Sequence, residues 1–322
     1  MADTSKRKLE TTLFGQKYAT PLIQAPIGVQ SIFNPNGEKG IAKICSELGI
    51  PFTLSTAASS TIEEVASAGR DGPRWFQLYW PTDDDITISL LRRARENKYN
   101  VLVVTLDTWS AGWRPLDLDS GYLPLVNGVG NQIGFSDPVF RAKFKEAHGI
   151  EVEDNTALAS REWLKIILSG SVQPWERISF LKKNWPGPVV VKGIQHVEDA
   201  KMAVKFGCDG IIVSNHGGRQ LDGAVGSLRM LQPIVEAVGK QTDVLFDSGA
   251  RTGSDILKAF CLGAKGVLIG RPTMYGYAVA GEEGAREVFM GLLADLDQSM
   301  GMTGVTDLQA SNTSTIVSSN EI

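Results

Sequence analysis

Along this chain, short unbroken apolar runs alternate with longer stretches in which apolar positions return every three or four residues. The runs are Leu22-Ile23-Gln24-Ala25-Pro26, Phe52-Thr53-Leu54-Ser55, Trp75-Phe76-Gln77-Leu78-Tyr79 and Val101-Leu102-Val103-Val104-Thr105, followed later by Val189-Val190-Val191-Lys192, Gly210 to Ser214, Val244-Leu245-Phe246-Asp247 and Val267-Leu268-Ile269-Gly270. Runs of that length predict fully buried strands, and the stretches between them predict amphipathic helices. Helix starts are marked by Ser60 or Thr61 before Ile62-Glu63-Glu64 and by Asp83, Asp84 and Asp85. Gln195-His196-Val197-Glu198 opens another, with His196 as a cap or surface residue; His148 reads as solvated.

Eight strands each followed by a helix predict an α/β chain closed into a single (β/α)8 TIM barrel rather than an open sheet. Polar residues then fall in a telling place. Ser55, Gln77, Tyr79, Thr105, Lys192, Ser214 and Asp247 each stand at or just past the carboxyl end of an apolar run. In a barrel those ends converge on one mouth, where chemistry is done. Between strands four and five, residues 109–173 are too long for a simple connection and lack strand patterning. With Trp109, Trp113, Tyr122, Phe135 and Phe140 to bury, this insertion is expected to be a mobile lid over the mouth. The barrel with its lid would span residues 1–305, and the Ser-, Thr- and Asn-rich tail 306–322 would be loose.

Composition narrows the function classes. The chain has 322 residues, 43% of them hydrophobic, enough for one large barrel. With 32 basic and 36 acidic residues the net charge is -4, so neither nucleic acid nor a membrane surface is indicated as partner. Cys45, Cys208 and Cys261 are odd in number and far apart, which supports no disulfide framework and no metal site. No run approaches the length of a membrane span, and Ser319-Asn320-Glu321-Ile322 is not a peroxisomal address. A cytoplasmic location is expected.

The stretch richest in chemistry is Val213-Ser214-Asn215-His216-Gly217-Gly218-Arg219-Gln220-Leu221-Asp222. It sets a histidine able to accept a proton near neutral pH beside a glycine turn and a permanent cation that can grip a carboxylate with two hydrogen bonds. An enzyme acting on a small acid fits this better than a capped turn. Asp247-Ser248-Gly249-Ala250-Arg251 and Gly270-Arg271-Pro272 follow the last two strands, where barrels commonly bind phosphate through backbone N–H groups and arginine. Lys192, flanked by apolar residues, needs an anionic partner. A flavin would supply one, with Gln77, Thr105 and Ser214 on its polar rim; a Schiff-base lysine competes but leaves His216, Arg219 and Arg114 without a role.

Ser214 to Gly223 resembles the active-site signature of FMN-dependent α-hydroxy acid oxidases, and the likeness extends from about Thr11 to Gly301. It includes Ala25-Pro26-Ile27-Gly28-Val29, Gln77-Leu78-Tyr79, Thr105-Leu106-Asp107-Thr108, Val191-Lys192-Gly193 and Asp247 to Arg251. Within that family, Trp109 to Pro115, Phe135 to Phe140 and Gly193 to His196 are most similar to the lactate 2-monooxygenase branch. The resemblance implies that Pro26, Ile27, Gly28, Ser55, Gln77, Thr105, Lys192 and Ser214 contact the flavin. It implies that Asp247, Ser248, Gly249, Ala250, Arg251, Gly270 and Arg271 hold its phosphate. Tyr79, Arg114 and Arg219 would hold the substrate, His216 would be the base, and Asp107 would stabilise its protonated form.

The implied reaction oxidises a small 2-hydroxy acid to the keto acid, with FMN taking two electrons and O2 restoring it. In the monooxygenase branch, L-lactate would end as acetate, carbon dioxide and water; in the oxidase branch, keto acid and H2O2 would leave. The resemblance also implies a homo-oligomer, tetramer or octamer. The family carries, ahead of the barrel, a Tyr-x-x-Gly-Gly-like stretch whose tyrosine helps bind the substrate carboxylate, and this sequence does not contain it. A missing hydrogen bond of that kind costs about 1.5 to 3 kcal/mol. A non-catalytic FMN-binding protein is therefore the competing expectation.

Overall fold

The computed structural model describes residues 3–317. All eight predicted strands form, as β3 (Leu22–Gln24), β4 (Phe52–Ser55), β5 (Arg74–Leu78), β6 (Val101–Thr105), β7 (Val189–Ile194), β8 (Gly210–Val213), β9 (Asp243–Phe246) and β10 (Val267–Ile269). They close in sequence order, each parallel to its neighbours, with β10 paired to both β9 and β3. Their backbones stay buried because helices cover the outside, which is why the strands read as continuous apolar runs.

Alternation along each strand separates two cores. Ile23, Trp75, Val101, Val103, Val190, Ile212, Leu245 and Leu268 point inward and pack on one another. Their neighbours in sequence point outward against the helices. Continuing the inward rows by two residues gives Gln77, Thr105, Lys192, Ser214 and Asp247, so the polar mouth is the uppermost inward layer. A short antiparallel hairpin, β1 (Thr11–Leu13) with β2 (Gln16–Tyr18), plugs the opposite end. There Phe14 and Tyr18 lie 5.8 and 6.2 Å from the Trp75 ring.

The helices start where the sequence places them. α1 (Gly37–Leu48) precedes β4; α2 (Ile62–Ala68) begins at a Thr61–Glu64 capping box, and α3 (Asp84–Glu96) at Asp83, which accepts the Ile86 N–H. His196 is the N-cap of α9 (Val197–Lys205), as its position predicts.

The insertion after β6 carries α4 (Pro115–Ser120), α5 (Gln132–Phe135), α6 (Pro138–His148) and α7 (Thr156–Ile167), followed by α8 (Ile178–Asn184) leading into β7. It divides into two unlike parts, so the expectation of one mobile lid over 109–173 needs correction. From α5 onward it belongs to the packed shell: Phe140 meets Trp163 edge-on at 5.2 Å and stacks on Phe135 at 6.4 Å. Buried Asp137 caps α6 and pairs with Arg93 of α3 at 3.2 Å, while Arg93 also holds Glu63 at 2.9 Å. A buried ion pair broken at one partner is costly, so this part stays docked. Residues 109–127 differ: Trp113 and Leu116 are 81% and 84% exposed.

After β8 come α10 (Ser227–Val238) and, after β9, α11 (Gly253–Cys261); α12 (Arg271–Thr303) is two helices broken at Ala280–Gly281. The tail from Thr306, expected to be loose, is docked over its described part. Leu308 is fully buried, the Lys8 N–H donates to the Thr306 carbonyl at 2.9 Å, and the Leu308 N–H donates to the Lys8 carbonyl at 3.0 Å. Arg7 adds a two-pronged ion pair to Asp297 at 2.7 and 2.6 Å. An apolar anchor and backbone pairing outweigh the polar composition; residues 318–322 lie outside the described residues.

Candidate active site

Beyond β8 the backbone takes an unusual path, with His216, Gly217 and Gly218 all left-handed at φ 59°, 67° and 72°. Glycine accepts this freely, but histidine does so at a cost of about 1 kcal/mol or more. The turn is held by the His216 N–H to Ser214 Oγ (3.0 Å), the Gly217 N–H to Ser248 Oγ (2.9 Å) and the Gly218 N–H to Asn215 Oδ1 (3.0 Å). The result swings the imidazole toward the end of β6.

There His216 Nδ1 lies 2.9 Å from Asp107 Oδ1. An ionised carboxylate only accepts, so Nδ1 carries the hydrogen and Nε2 keeps its lone pair. Burial, then the charge of Lys192, pulls the His216 pKa below its usual value against the opposing pull of Asp107. Burial would raise the Asp107 carboxyl, but the His216 hydrogen bond and the Lys192 charge hold it below the ordinary range. The pair is thus a neutral imidazole on a carboxylate, ready to accept a proton at Nε2. Thr108, which sequence reading gave no role, donates to Asp107 Oδ1 at 3.0 Å and touches His216 Nδ1 at 3.1 Å. Asp107 fits because residue 193 is glycine: a Cβ there would come within 2.6 Å of the Asp107 carboxyl carbon.

Around the mouth, the inward polar residues form two hydrogen-bonded sets. Ser55 Oγ donates to Gln77 Oε1 (3.1 Å), and Gln77 Nε2 donates to Thr105 Oγ1 (2.9 Å). Lys192 Nζ donates to Ser214 Oγ (3.1 Å) and lies 2.9 Å from Asp247 Oδ2. Burial alone would lower the Lys192 pKa and raise that of Asp247; their pairing reverses both. The anion that Lys192 requires is therefore Asp247, and the inference from Lys192 to a flavin as its counter-charge is corrected. Two of the three ammonium N–H bonds are accounted for, and the third has no acceptor among the described residues.

Tyr79, Arg114 and Arg219 are brought to the same side. Burial raises the Tyr79 pKa, and the tyrosine feels the charges of Lys192, Asp107 and both arginines. The two guanidinium groups disfavour each other: burial and then Arg114 lower the Arg219 pKa. Asp117 of α4 partly compensates, 3.7 Å from Arg114 and 3.8 Å from Arg219. Two like charges so close make a site for an added anion.

The loops after β9 and β10 face the glycine turn. The Arg271 guanidinium donates to the Gly217 carbonyl, and Ser248, left-handed at φ 81°, receives the Gly217 N–H. The N–H groups of Gly249, Ala250 and Gly270 find no acceptor among the described residues. Arg251 is exposed beside them. Pro26 to Gly28 lie at the same rim, where a Cβ on Gly28 would meet Ala57 at 2.8 Å and one on Gly270 would meet Ile27 at 3.7 Å.

Comparison with known proteins decides the family. The FMN-dependent dehydrogenase family model matches residues 1–318. This chain belongs to that family. It is 54% identical over 305 residues to an FMN-dependent α-hydroxy acid dehydrogenase of Penicillium citrinum, covering 95% of this chain and 75% of that one. It is 38% identical over 318 residues to an L-lactate oxidase of Lysinibacillus sphaericus, covering 98% and 80%. Among solved structures, mandelate oxidase with (S)-2-phenylpropionate superposes with a TM-score of 0.80 at 35% identity, covering 96% of this chain and 82% of that one.

As a member, the chain is an FMN-dependent 2-hydroxy acid oxidoreductase. Its residues suit the cofactor on their own chemistry. Unpaired N–H groups at 249, 250 and 270 beside Arg251 and Arg271 suit a phosphate, and the Ser55–Gln77–Thr105 belt with the spare Lys192 N–H suits a flat polar ring. No helix among the described residues is long and apolar enough to cross a membrane.

Proposed function

We propose that this chain oxidises a small L-2-hydroxy acid to the 2-keto acid, with His216 as the base and Arg114 and Arg219 on the carboxylate. The observation that carries it is the His216–Asp107 pair, with its depressed pKa, beside a Tyr79 that feels the charges of both Asp107 and the two mutually repelling arginines. The guanidinium pair fixes the acid by its carboxylate, and Tyr79 supplies a phenol hydrogen bond beside it. His216 Nε2 takes the proton that leaves as the carbinol becomes a carbonyl. Asp107, carboxylate throughout, stabilises the imidazolium so formed. Pro26 to Gly28, Ser55, Gln77, Thr105, Lys192 and Ser214 would hold the ring of FMN, and Asp247 to Arg251 with Gly270 and Arg271 its phosphate. FMN bound there supplies a two-electron acceptor that O2 or another oxidant later discharges.

Anaerobic mixing with L-lactate or another small 2-hydroxy acid is expected to bleach the flavin absorbance. His216→Gln is expected to keep the yellow cofactor while the bleaching rate falls about 10²- to 10⁴-fold, the usual worth of a positioned base. A wild-type protein that stays yellow with every such acid would instead be a non-catalytic FMN binder, and the reading fails.

A lactate 2-monooxygenase outcome is the sharper form of the reading. It is supported by the likeness of residues 109–115 to that branch and by Arg114 anchoring the lid on the β8 loop, which would retain the keto acid. Acetate as product supports it; pyruvate with H2O2 assigns the oxidase form. A reducing, cytoplasmic setting accords with the three buried free cysteines. Assembly into a tetramer or octamer belongs to the same proposal, and sedimentation checks it.

A further inference from the structure

The loop after β6 and the loop after β8 come into backbone contact at one point, where a Cβ on Gly112 would lie 2.4 Å from the Arg219 carbonyl oxygen and 2.9 Å from Gln220 Cα. At that point the Gln220 amide uses both of its ends. Its Nε2 donates to the Asp107 carbonyl (2.8 Å) and to the Ser110 carbonyl (3.1 Å), and its Oε1 accepts from an Arg114 terminal nitrogen (2.9 Å). Arg114 Nε meanwhile donates to the Arg219 carbonyl at 3.0 Å. From these contacts we infer that Gln220 is a positioning residue for substrate binding: it holds the Arg114 guanidinium in register with the backbone that carries Asp107, so that the carboxylate clamp and the base are set as one unit. The inference rests on the reading of Arg114 as a carboxylate ligand.

The chemistry favours an amide here. Two carbonyl oxygens need a donor with two hydrogens, and a guanidinium needs an acceptor that leaves its charge unspent. Glutamate would fail on both counts, since it cannot donate to the carbonyls and would neutralise Arg114. Leucine keeps the volume and makes no hydrogen bond. Arg114 stands at the N-cap of α4, in the exposed part of the insertion, and its backbone there has no side-chain cap. Its position is therefore set by the partners of its side chain, of which Gln220 is the one that reaches back to the β6 end.

The test is a double-mutant cycle on the FMN-loaded protein, using Gln220→Leu, Arg114→Met and the pair, with flavin content and melting temperature confirming that each variant folds. Two quantities are read: the dissociation constant for L-lactate from anaerobic flavin reduction, and the affinity for oxalate, an unreactive dicarboxylate, by calorimetry. Gln220→Leu is expected to weaken both by about 10-fold or more, the worth of a hydrogen bond to a charged group. In the Arg114→Met background the same change is expected to alter them by less than about 2-fold, because the residue it positions is gone. Equal losses in both backgrounds would show Gln220 to be a general loop tie and would overturn the assignment. Gln220→Glu is expected to weaken oxalate binding as well; unchanged affinity in that variant overturns it too. These outcomes differ from failure of the underlying reading, in which the wild-type protein itself neither bleaches nor binds oxalate, and the assignment falls with it.

Discussion

His216 is the residue on which electrostatics and backbone geometry converge, and its behaviour with pH follows from its surroundings. Lowered by burial and by Lys192, its pKa lies below the ordinary 6.5 of histidine, so the base is already neutral at pH 7. The rate of flavin reduction at low substrate should be flat near neutrality and fall on acidification, with a midpoint under that value. Asp107 raises the His216 pKa, so Asp107→Asn must lower it further. The acid limb of the profile is therefore expected to move to lower pH, while the plateau drops by about 10²-fold or more as the imidazolium loses its counter-charge. A limb that moves to higher pH would contradict the assignment. At this scale the sequence was most legible where a polar residue ends an apolar run, since a period of two carries Gln77, Thr105, Lys192, Ser214 and Asp247 inward with no further information. Thr108, Gln220 and Asp117 were not legible, because their roles depend on contacts between loops whose backbone paths no local pattern dictates. Gly193 left a trace in hindsight, as a glycine inside a strand marks a close approach.

Among the elements, α4 carries the most distinctive consequence. The helix is six residues long, with no buried side chain, and it brings Asp117 within 4 Å of both arginines. That carboxylate occupies the position in the electrostatic field that a substrate carboxylate would claim. Exposed pairs of this kind are worth little, so the competition is mild. Asp117→Asn is expected to lower the KM for L-lactate about 2- to 5-fold with kcat little changed, an effect that shrinks in high salt. Steady-state kinetics at two ionic strengths checks this, and a raised KM would refute it. The contrast with α5 to α7 explains why the insertion was only half legible. Its length and aromatic content indicated something more than a loop, but the anchor is the Arg93–Asp137–Glu63 ion-pair set, joining residues far apart in sequence.

Over the whole molecule, eight-fold closure was readable because all eight apolar runs agree in length and period, and several helix starts between them, such as Thr61 and Asp83, carry caps. What no repeat announced is that the two ends of the described chain are bonded to each other across the base of the shell, through Lys8, Thr306 and Leu308. Residues 8 and 306–308 are thereby held side by side, so a linker between the two sides has little distance to span. A circular permutant, with a flexible linker joining the present termini and new ends opened at Ser120–Gly121, is expected to melt close to the parent and to retain FMN, since Gly121 is exposed with open space around it. The entrance would then be guarded by two free chain ends in place of a covalent arch, so that access to the flavin could be tuned by what is fused there, leaving the barrel beneath untouched.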